Sequence, residues 1–243
     1  LKALQVLNID YDMADLAKTP ADKLEAYKQV WAFCTDEMNA ADQQTLIDYT
    51  AAGGNLVVFP HLPDREMSQK QCTLLRDALH VEPAGLEFID SPLIDVLGHR
   101  DIKCANPQVV YDETNLGEAS IIAHTINGKA CGFSKTLGKG SILHLGTWIG
   151  YDTEGHKPVY EAILQKSGAQ LRKASADNER LTVRQRFTEN GRAMLFVANY
   201  YNEECDGQVT YTHPTTGEAI TIPYLKESFL WPALYGILTP VCL

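Results

Sequence analysis

His61 is the side chain in this sequence best placed to move a proton. It follows Phe59 and Pro60 at the end of an apolar run, Asn55-Leu56-Val57-Val58-Phe59, with carboxylates a few positions on at Asp64 and Glu66. An imidazole beside a carboxylate at the C-terminal edge of a parallel strand is an acid–base arrangement, and open α/β sheets bind their ligands at that edge. The competing reading is structural: Pro60 and Pro63 bracket His61 in a stiff surface turn, and that turn holds no Ser or Cys to attack a substrate. A nucleophile elbow also needs small residues on both sides of a sharp, strained turn, which Phe59 and Pro60 do not provide. We therefore read Phe59-Pro60-His61 as a degenerate nucleophile-elbow position and assign no catalytic residue.

Other reactive residue types offer less. Cys34 ends an apolar stretch and precedes Thr35-Asp36-Glu37; neighbouring carboxylates disfavour a thiolate, so a buried, inert thiol is expected. Cys205-Asp206-Gly207 reads as a polar turn between strands, and His99-Arg100-Asp101 beside Gly98 as a loop. The six cysteines are widely spaced without a C-x-x-C pair, so no zinc ribbon or thioredoxin motif is present and neither metal nor cofactor is assigned. Gly138-Lys139-Gly140 lacks the spacing of a phosphate-binding loop. No Asp or Glu pair stands out for glycoside chemistry. Tyr200, Tyr201 and Trp231 are the candidates for contact with sugar or a partner subunit, with packing as their competing role.

The chain has 243 residues, 45% of them hydrophobic, and a formal charge of -10. That length suits one large domain or two modest ones. The acidic balance argues against nucleic acid and anionic membranes as partners, since phosphate binding needs clustered Lys and Arg. No apolar run approaches the roughly 18 residues of a membrane span. Free cysteines suit a cytoplasmic protein, and a periplasmic one remains compatible. The sequence opens at Leu1 without an initiator Met or signal peptide, and ends in an apolar stretch. We expect a fragment of a larger protein whose targeting signal lies elsewhere.

The elements that would carry these residues follow from periodicity. Residues 1–7 read as the end of an amphipathic helix, 9–13 as a short strand, and 27–34 as a buried strand. A helix runs from a cap at Asn39 to Gly53, with Leu46, Ile47 and Thr50 on its inner face. A strand at 55–59 and a helix at about 68–79 follow. Strand–helix–strand–helix with near-continuous apolar strands predicts an α/β fold, a parallel sheet with helices on both faces. The pattern then changes to a β-meander: 120–126, a turn at Asn127-Gly128, 129–134, a turn at Gly138-Lys139-Gly140, and 141–146. A helix is expected at 158–168. Beyond Asn178 the chain reads as β, with strands at 181–187 and 193–199 about a turn at Glu189-Asn190-Gly191, and a hairpin pairing 208–212 with 218–222. We expect two domains, α/β over 1–173 and a small antiparallel β-domain over 174–243.

The string YKQVWAFCTDEMNAADQQTLIDYTAAGGNLVVFPHLPD, residues 27–64, resembles the trimerisation domain of family-42 β-galactosidases and related segments of family-35-like enzymes. Ala130, Gly138-Lys139-Gly140, Leu145-Gly146-Thr147, and Asn190-Gly191 with Leu195-Phe196-Val197-Ala198-Asn199 extend the resemblance. It implies a flavodoxin-like, class I glutamine amidotransferase-like sheet whose first strand is missing from this chain unless another segment supplies it. Active amidotransferases of that class carry a G-x-C-x-G elbow where Phe59-Pro60-His61 stands here, and a downstream His-x-Glu pair that this sequence lacks. The resemblance thus implies a non-catalytic C-terminal portion of a β-galactosidase-like glycoside hydrolase in carbohydrate metabolism. It would support an upstream catalytic barrel of the same protein or assemble it into a homo-oligomer, a trimer. Two rival functions stay open: a stand-alone amidotransferase/PfpI-like hydrolase with an unrecognised site, and a carbohydrate-binding module using Tyr200, Tyr201 or Trp231.

Overall fold

Strands β1 (Gln29–Cys34) and β2 (Asn55–Pro60) pair in parallel with no register break, from Gln29 opposite Asn55 to Cys34 opposite Pro60. They form one end of a nine-stranded mixed sheet in a computed structural model that describes residues 3, 4, 7, 9, 11–150, 155–168, 174–178, 180–187, 193–199, 204–212, 218–224 and 239–242. Two compact units divide the chain: Met13–Gln170 in one, Leu1–Asp12 with Leu171–Leu243 in the other.

The larger unit runs α1 (Ala21–Leu24), β1, α2 (Ala40–Ala52), β2, α3 (Leu74–Leu79), β3 (Pro83–Glu87), β4 (Leu93–Val96), β5 (His99–Lys103), β6 (Gln108–Tyr111), β7 (Ser120–Thr125), β8 (Ala130–Leu137), β9 (Gly140–Leu145) and α4 (His156–Lys166). Only β1–β2 and β2–β9 are parallel pairs; every other pairing in this sheet is antiparallel. The unit is therefore mostly β with few helices, and the parallel sheet expected across the domain is confined to three strands. Those three bear the near-continuous apolar signal. Leu56, Val57 and Val58 of β2 are fully buried, each contributing about 1.5–3 kcal/mol of transfer free energy.

Strand alternation sorts β1 into two faces. Ala32 and Cys34 join Leu46 of α2, Leu75 and Leu79 of α3, and Phe133 and Ile142 of the meander in one core. On the opposite face Trp31 stacks on Tyr160 of α4, ring centroids 6.1 Å apart, and Gln29 Nε2 donates to the Ser167 carbonyl. Gln43, fully buried on α2, ties the α2–α3 layer of the first face together. Its Nε2 donates to the Met38 and Cys72 carbonyls, and its Oε1 accepts from the Leu75 N–H at the start of α3.

The meander forms as expected, but its surroundings differ from the sequence reading. Residues 83–111 form four strands that periodicity did not reveal. The expected loop His99-Arg100-Asp101 is part of β5, entered by a tight turn with Leu97 (φ 49°) and Gly98 (φ 86°) both left-handed. That double left-handed geometry matches the twist of the flanking strands, and Leu-Gly is not one of its usual sequence signals. The helix expected at 68–79 is confined to Leu74–Leu79. Upstream of it, Arg65 bridges both Glu37 and Gln71, and Gln69 is left-handed, which no helix tolerates. Ile9 and Tyr11–Met13 form no strand. Helix α2 starts after Asn39, but the Asn39 side chain makes no capping bond.

In the smaller unit, β10 (Ala174–Ala176), β13 (Gly207–Thr212) and β14 (Ala219–Tyr224) form one antiparallel sheet; β11 (Leu181–Phe187), β12 (Ala193–Asn199) and β15 (Thr239–Cys242) form another. The expected β11–β12 and β13–β14 pairings are present. Leu181, Val183, Leu195 and Val197 from one sheet share a buried core with Ala174, Val209 and Tyr211 from the other. The turn expected at Glu189-Asn190-Gly191 lies outside the described residues.

Candidate functional site at the parallel strand edge

The C-terminal ends of β1, β2 and β9 meet at one edge of the sheet, the edge where open α/β folds place ligands. Strand β2 runs straight through Phe59 and Pro60, paired with Phe33 and Cys34. None of Phe59, Pro60 and His61 has a positive φ. Phe59 is buried. The backbone here is an extended strand end, without the strained turn that would thrust a nucleophile outward.

His61 points its Nδ1 at Asp36, 3.0 Å from Oδ1. Asp36 follows β1, and its carbonyl accepts the backbone N–H groups of Asp64 and Arg65, so the two strand-end loops are stitched together. The carboxylates expected beside His61 are engaged elsewhere. Asp64 accepts from Arg65 Nε at 2.7 Å and lies 3.5 Å from Arg76 Nη2. The Arg65 hydrogen bond is the main cause holding its carboxyl below the usual range, with the charges of Arg76, Arg65 and His61 adding to it against a desolvation effect. Glu66 accepts from the Ser68 hydroxyl. Arg76 is buried and donates through Nε and Nη2 to the Leu62 carbonyl, fixing the loop beyond His61.

The thiol that ends β1 is not an activated one. Cys34 is buried on the core side of β1, and desolvation pushes its thiol up to about 12. A second histidine, His144 of β9, is fully buried. Its Nε2 lies 2.7 Å from the Tyr111 hydroxyl, and burial lowers its pKa to about 3, the nearby His61 charge adding to the effect. It is a neutral core group. Among the described residues no cluster of three or more His, Cys, Asp or Glu is placed to hold a metal ion, and no helix is long and apolar enough to cross a membrane.

Aromatic rings dominate the rest of the edge. Phe33, Phe59 and Trp148 stack nearly parallel, with centroids 5.4 Å apart for Phe33–Trp148, 6.1 Å for Phe33–Phe59 and 6.3 Å for Phe59–Trp148. Trp31 supports Phe59 from behind at 5.6 Å. Phe33 is 49% exposed and Trp148 44%, although both are large and apolar. The sequence reading missed Asp36, Phe33 and Trp148 as site residues. Strand alternation places Phe33 on the Trp31 face, and Trp148 directly follows the Leu145-Gly146-Thr147 motif. Tyr200, Tyr201 and Trp231, the expected sugar or interface contacts, lie outside the described residues.

Residues 1–116 match the family described as GLMA-like, second domain. A β-1,2-glucosyltransferase of Ignavibacterium album is 29% identical over 208 residues, which is 84% of this chain and 28% of that protein. An exo-β-D-glucosaminidase of Pyrococcus horikoshii is 28% identical over 214 residues, 87% of this chain and 27% of that one. This chain thus spans little more than a quarter of the length of these curated relatives. Among solved structures, a GH42 β-galactosidase of G. stearothermophilus superposes over 91% of this chain and 33% of its own with a TM-score of 0.67 at 16% identity. A β-galactosidase of Rahnella sp. R3 covers 100% of this chain and 36% of its own, with a TM-score of 0.68 at 16% identity. The fold likeness implied by the sequence motifs is therefore found: the chain shares its fold with a portion of the GH42 β-galactosidases, and residues 1–116 in addition resemble the GLMA-like second domain.

Proposed function

We propose that this chain is a non-catalytic, C-terminal part of a β-galactosidase-like glycoside hydrolase of carbohydrate metabolism, supporting an upstream catalytic barrel of the same protein. The observation that carries this reading is the β2 terminus. Phe59 and Pro60 continue the strand, His61 is held by Asp36, and the neighbouring thiol is buried on the far face. That leaves an imidazole–carboxylate pair and no nucleophile at the elbow position. The size of the relatives and structural neighbours, of which the chain matches about a third or less, supports an upstream domain.

The finer fold assignment belongs to the same reading. Helices α2 and α3 contact one face of the three parallel strands and α4 the other, a remnant of a flavodoxin-like, amidotransferase-like sheet whose remaining strands turned antiparallel. The functional domains are 1–173 and 174–243, and assembly into a homo-oligomer, a trimer by resemblance, is one way such a portion supports a barrel.

The test is activity of the isolated 243-residue chain. It should release neither nitrophenol from nitrophenyl β-D-glycosides nor ammonia from glutamine above a protein-free blank. Glutamine hydrolysis abolished by Cys34→Ala, or glycoside turnover by the chain alone, would overturn the reading. Sedimentation of the chain together with its upstream neighbour tests the assembly.

A further inference from the structure

Three strands of the large sheet, β1, β3 and β5, are each hydrogen-bonded to one neighbouring strand only. Two of these edges carry the features that discourage further pairing, and the third carries none. Strand β5 holds His99, Arg100, Asp101 and Lys103, has Asp101 left-handed at φ 55°, and meets β4 with a register shift. Strand β3 holds Pro83 and Gly85, with a register shift between them. Strand β1, Gln29-Val30-Trp31-Ala32-Phe33-Cys34, has no charge, proline or glycine, and its register with β2 is unbroken. We propose that β1 is an internal strand of the assembled protein, its open edge receiving a near-continuous apolar strand of the same polypeptide from outside residues 1–243. The inference rests on the reading above for the existence of that further portion.

The backbone identifies the groups such a strand would meet. The Lys28 carbonyl, just before β1, accepts from the Asn55 N–H, and the Asp36 carbonyl, just after it, accepts from Asp64 and Arg65. Even-numbered residues therefore turn their N–H and C=O groups toward β2, and strand alternation turns those of Gln29, Trp31 and Phe33 outward. Among the described residues, no backbone partner meets these three N–H and three C=O groups.

The side chains of β1 define the occupant. Ala32 and Cys34 belong to the core shared with α2 and α3, and Val30 packs against it. A neighbouring strand extends that core with its own residues on the same face, so these are apolar. On the other face Phe33 is 49% exposed and stacks on Trp148. A strand about 4.8 Å from β1 lays a side chain beside Phe33 and covers it. Apolar demand on both faces is the pattern of a strand inside a parallel sheet.

A tethered segment suits this edge better than a second copy of the chain. Six residues of edge bury far less than the roughly 1,200–2,000 Å² of a stable interface between separate proteins. A strand of the same polypeptide meets β1 at a high effective concentration and needs no such area. The curated relatives hold ample chain for it, since the matched region is 28% of one and 27% of the other.

The test is amide hydrogen exchange, resolved at Trp31 and Phe33, in the whole natural protein and in the 243-residue chain. In the chain alone these two amides are expected to exchange at least about 100-fold faster than those of Ala32 and Cys34, which are bonded to β2. In the whole protein they should slow into the range of those neighbours. Equal rates at Trp31 and Phe33 in the two proteins would overturn the proposal. So would protection already present in the monomeric chain, or protection that grows with chain concentration, which would assign the edge to a second copy. Glycoside turnover by the isolated chain would end the non-catalytic reading and leave this comparison intact. Unprotected amides in the whole protein would remove the added strand and leave that reading standing.

Discussion

Gly140, at the start of β9, lies so close to Gly54, just beyond helix α2, that a Cβ built on Gly140 would collide with the carbonyl oxygens of Gly54 and Thr50. The contact is cemented by two backbone hydrogen bonds, Lys139 N–H to the Ala51 carbonyl at 3.0 Å and Ser141 N–H to the Gly54 carbonyl at 3.3 Å. Two glycine-rich segments far apart in sequence, Gly53-Gly54 and Gly138-Lys139-Gly140, are thus the two sides of one joint.

Because both colliding atoms are backbone, a side chain at 140 cannot be accommodated by rotation. Gly140→Ala is expected to lower the unfolding free energy by about 2–3 kcal/mol, in the range of overpacked core sites. Gly98→Ala, in open space but left-handed, should cost about 1–2 kcal/mol from backbone strain alone. Urea unfolding of the two variants separates collision from conformation; equal losses would remove the joint from the account.

The Tyr111–His144 pair gives a pH signature. The His144 pKa falls from 6.5 to about 3 on folding, so the unfolded chain takes up this proton first as the pH drops. Stability is therefore complete above pH 6.5 and declines between 6.5 and about 3. From pH 7 to pH 5 the expected loss from this group is about 2 kcal/mol, and His144→Phe should flatten that part of the profile. Tyr111→Phe should cost about 1–3 kcal/mol at neutral pH by leaving the buried Nε2 without its partner.

Gln43 predicts a different kind of loss. Replacing it with Leu keeps the volume and removes all three hydrogen bonds, stranding the Met38 and Cys72 carbonyls and the Leu75 N–H. We expect a loss of about 2–4 kcal/mol in chemical denaturation, and faster hydrogen exchange at the Leu75 amide than in the parent protein.

Cys34, with its thiol raised to about 12 by burial, should resist iodoacetamide in the native protein at pH 8 and react once unfolded. Mass mapping after timed alkylation checks this. Rapid native labelling at Cys34 would mean that its side of β1 opens to solvent.

The sequence was most legible where one physical signal dominated. The apolar runs of β1 and β2, the helix ending at Gly53, and the Asn127-Gly128 turn all stand close to where periodicity and turn chemistry placed them. It was least legible between residues 80 and 119. There β3 shows little alternation in burial and β5 is mostly exposed, and the turn that aligns β4 with β5 uses Leu97-Gly98. Gln43 was invisible for another reason: a polar residue in a helix gives no sign that it will be buried until its three partners, 5 to 32 positions away, are known. At the site, His61 was found but its partner was not. Asp36 is distant in sequence and adjacent only because β1 and β2 run side by side, whereas the nearer Asp64 is claimed by two arginines.

Strand β9 is both the last strand of the meander and the parallel neighbour of β2, opposing Ser141 to Asn55. The order in which this unit assembles is thereby constrained. Until residue 145 has left the ribosome, β2 has only β1 beside it, and its other flank is a bare row of unmet amides and carbonyls. Closing so wide a loop makes the final step a slow, non-local one. The nascent unit is therefore most open to edge-to-edge pairing just before β2, the middle one of its three parallel strands, gains its second neighbour.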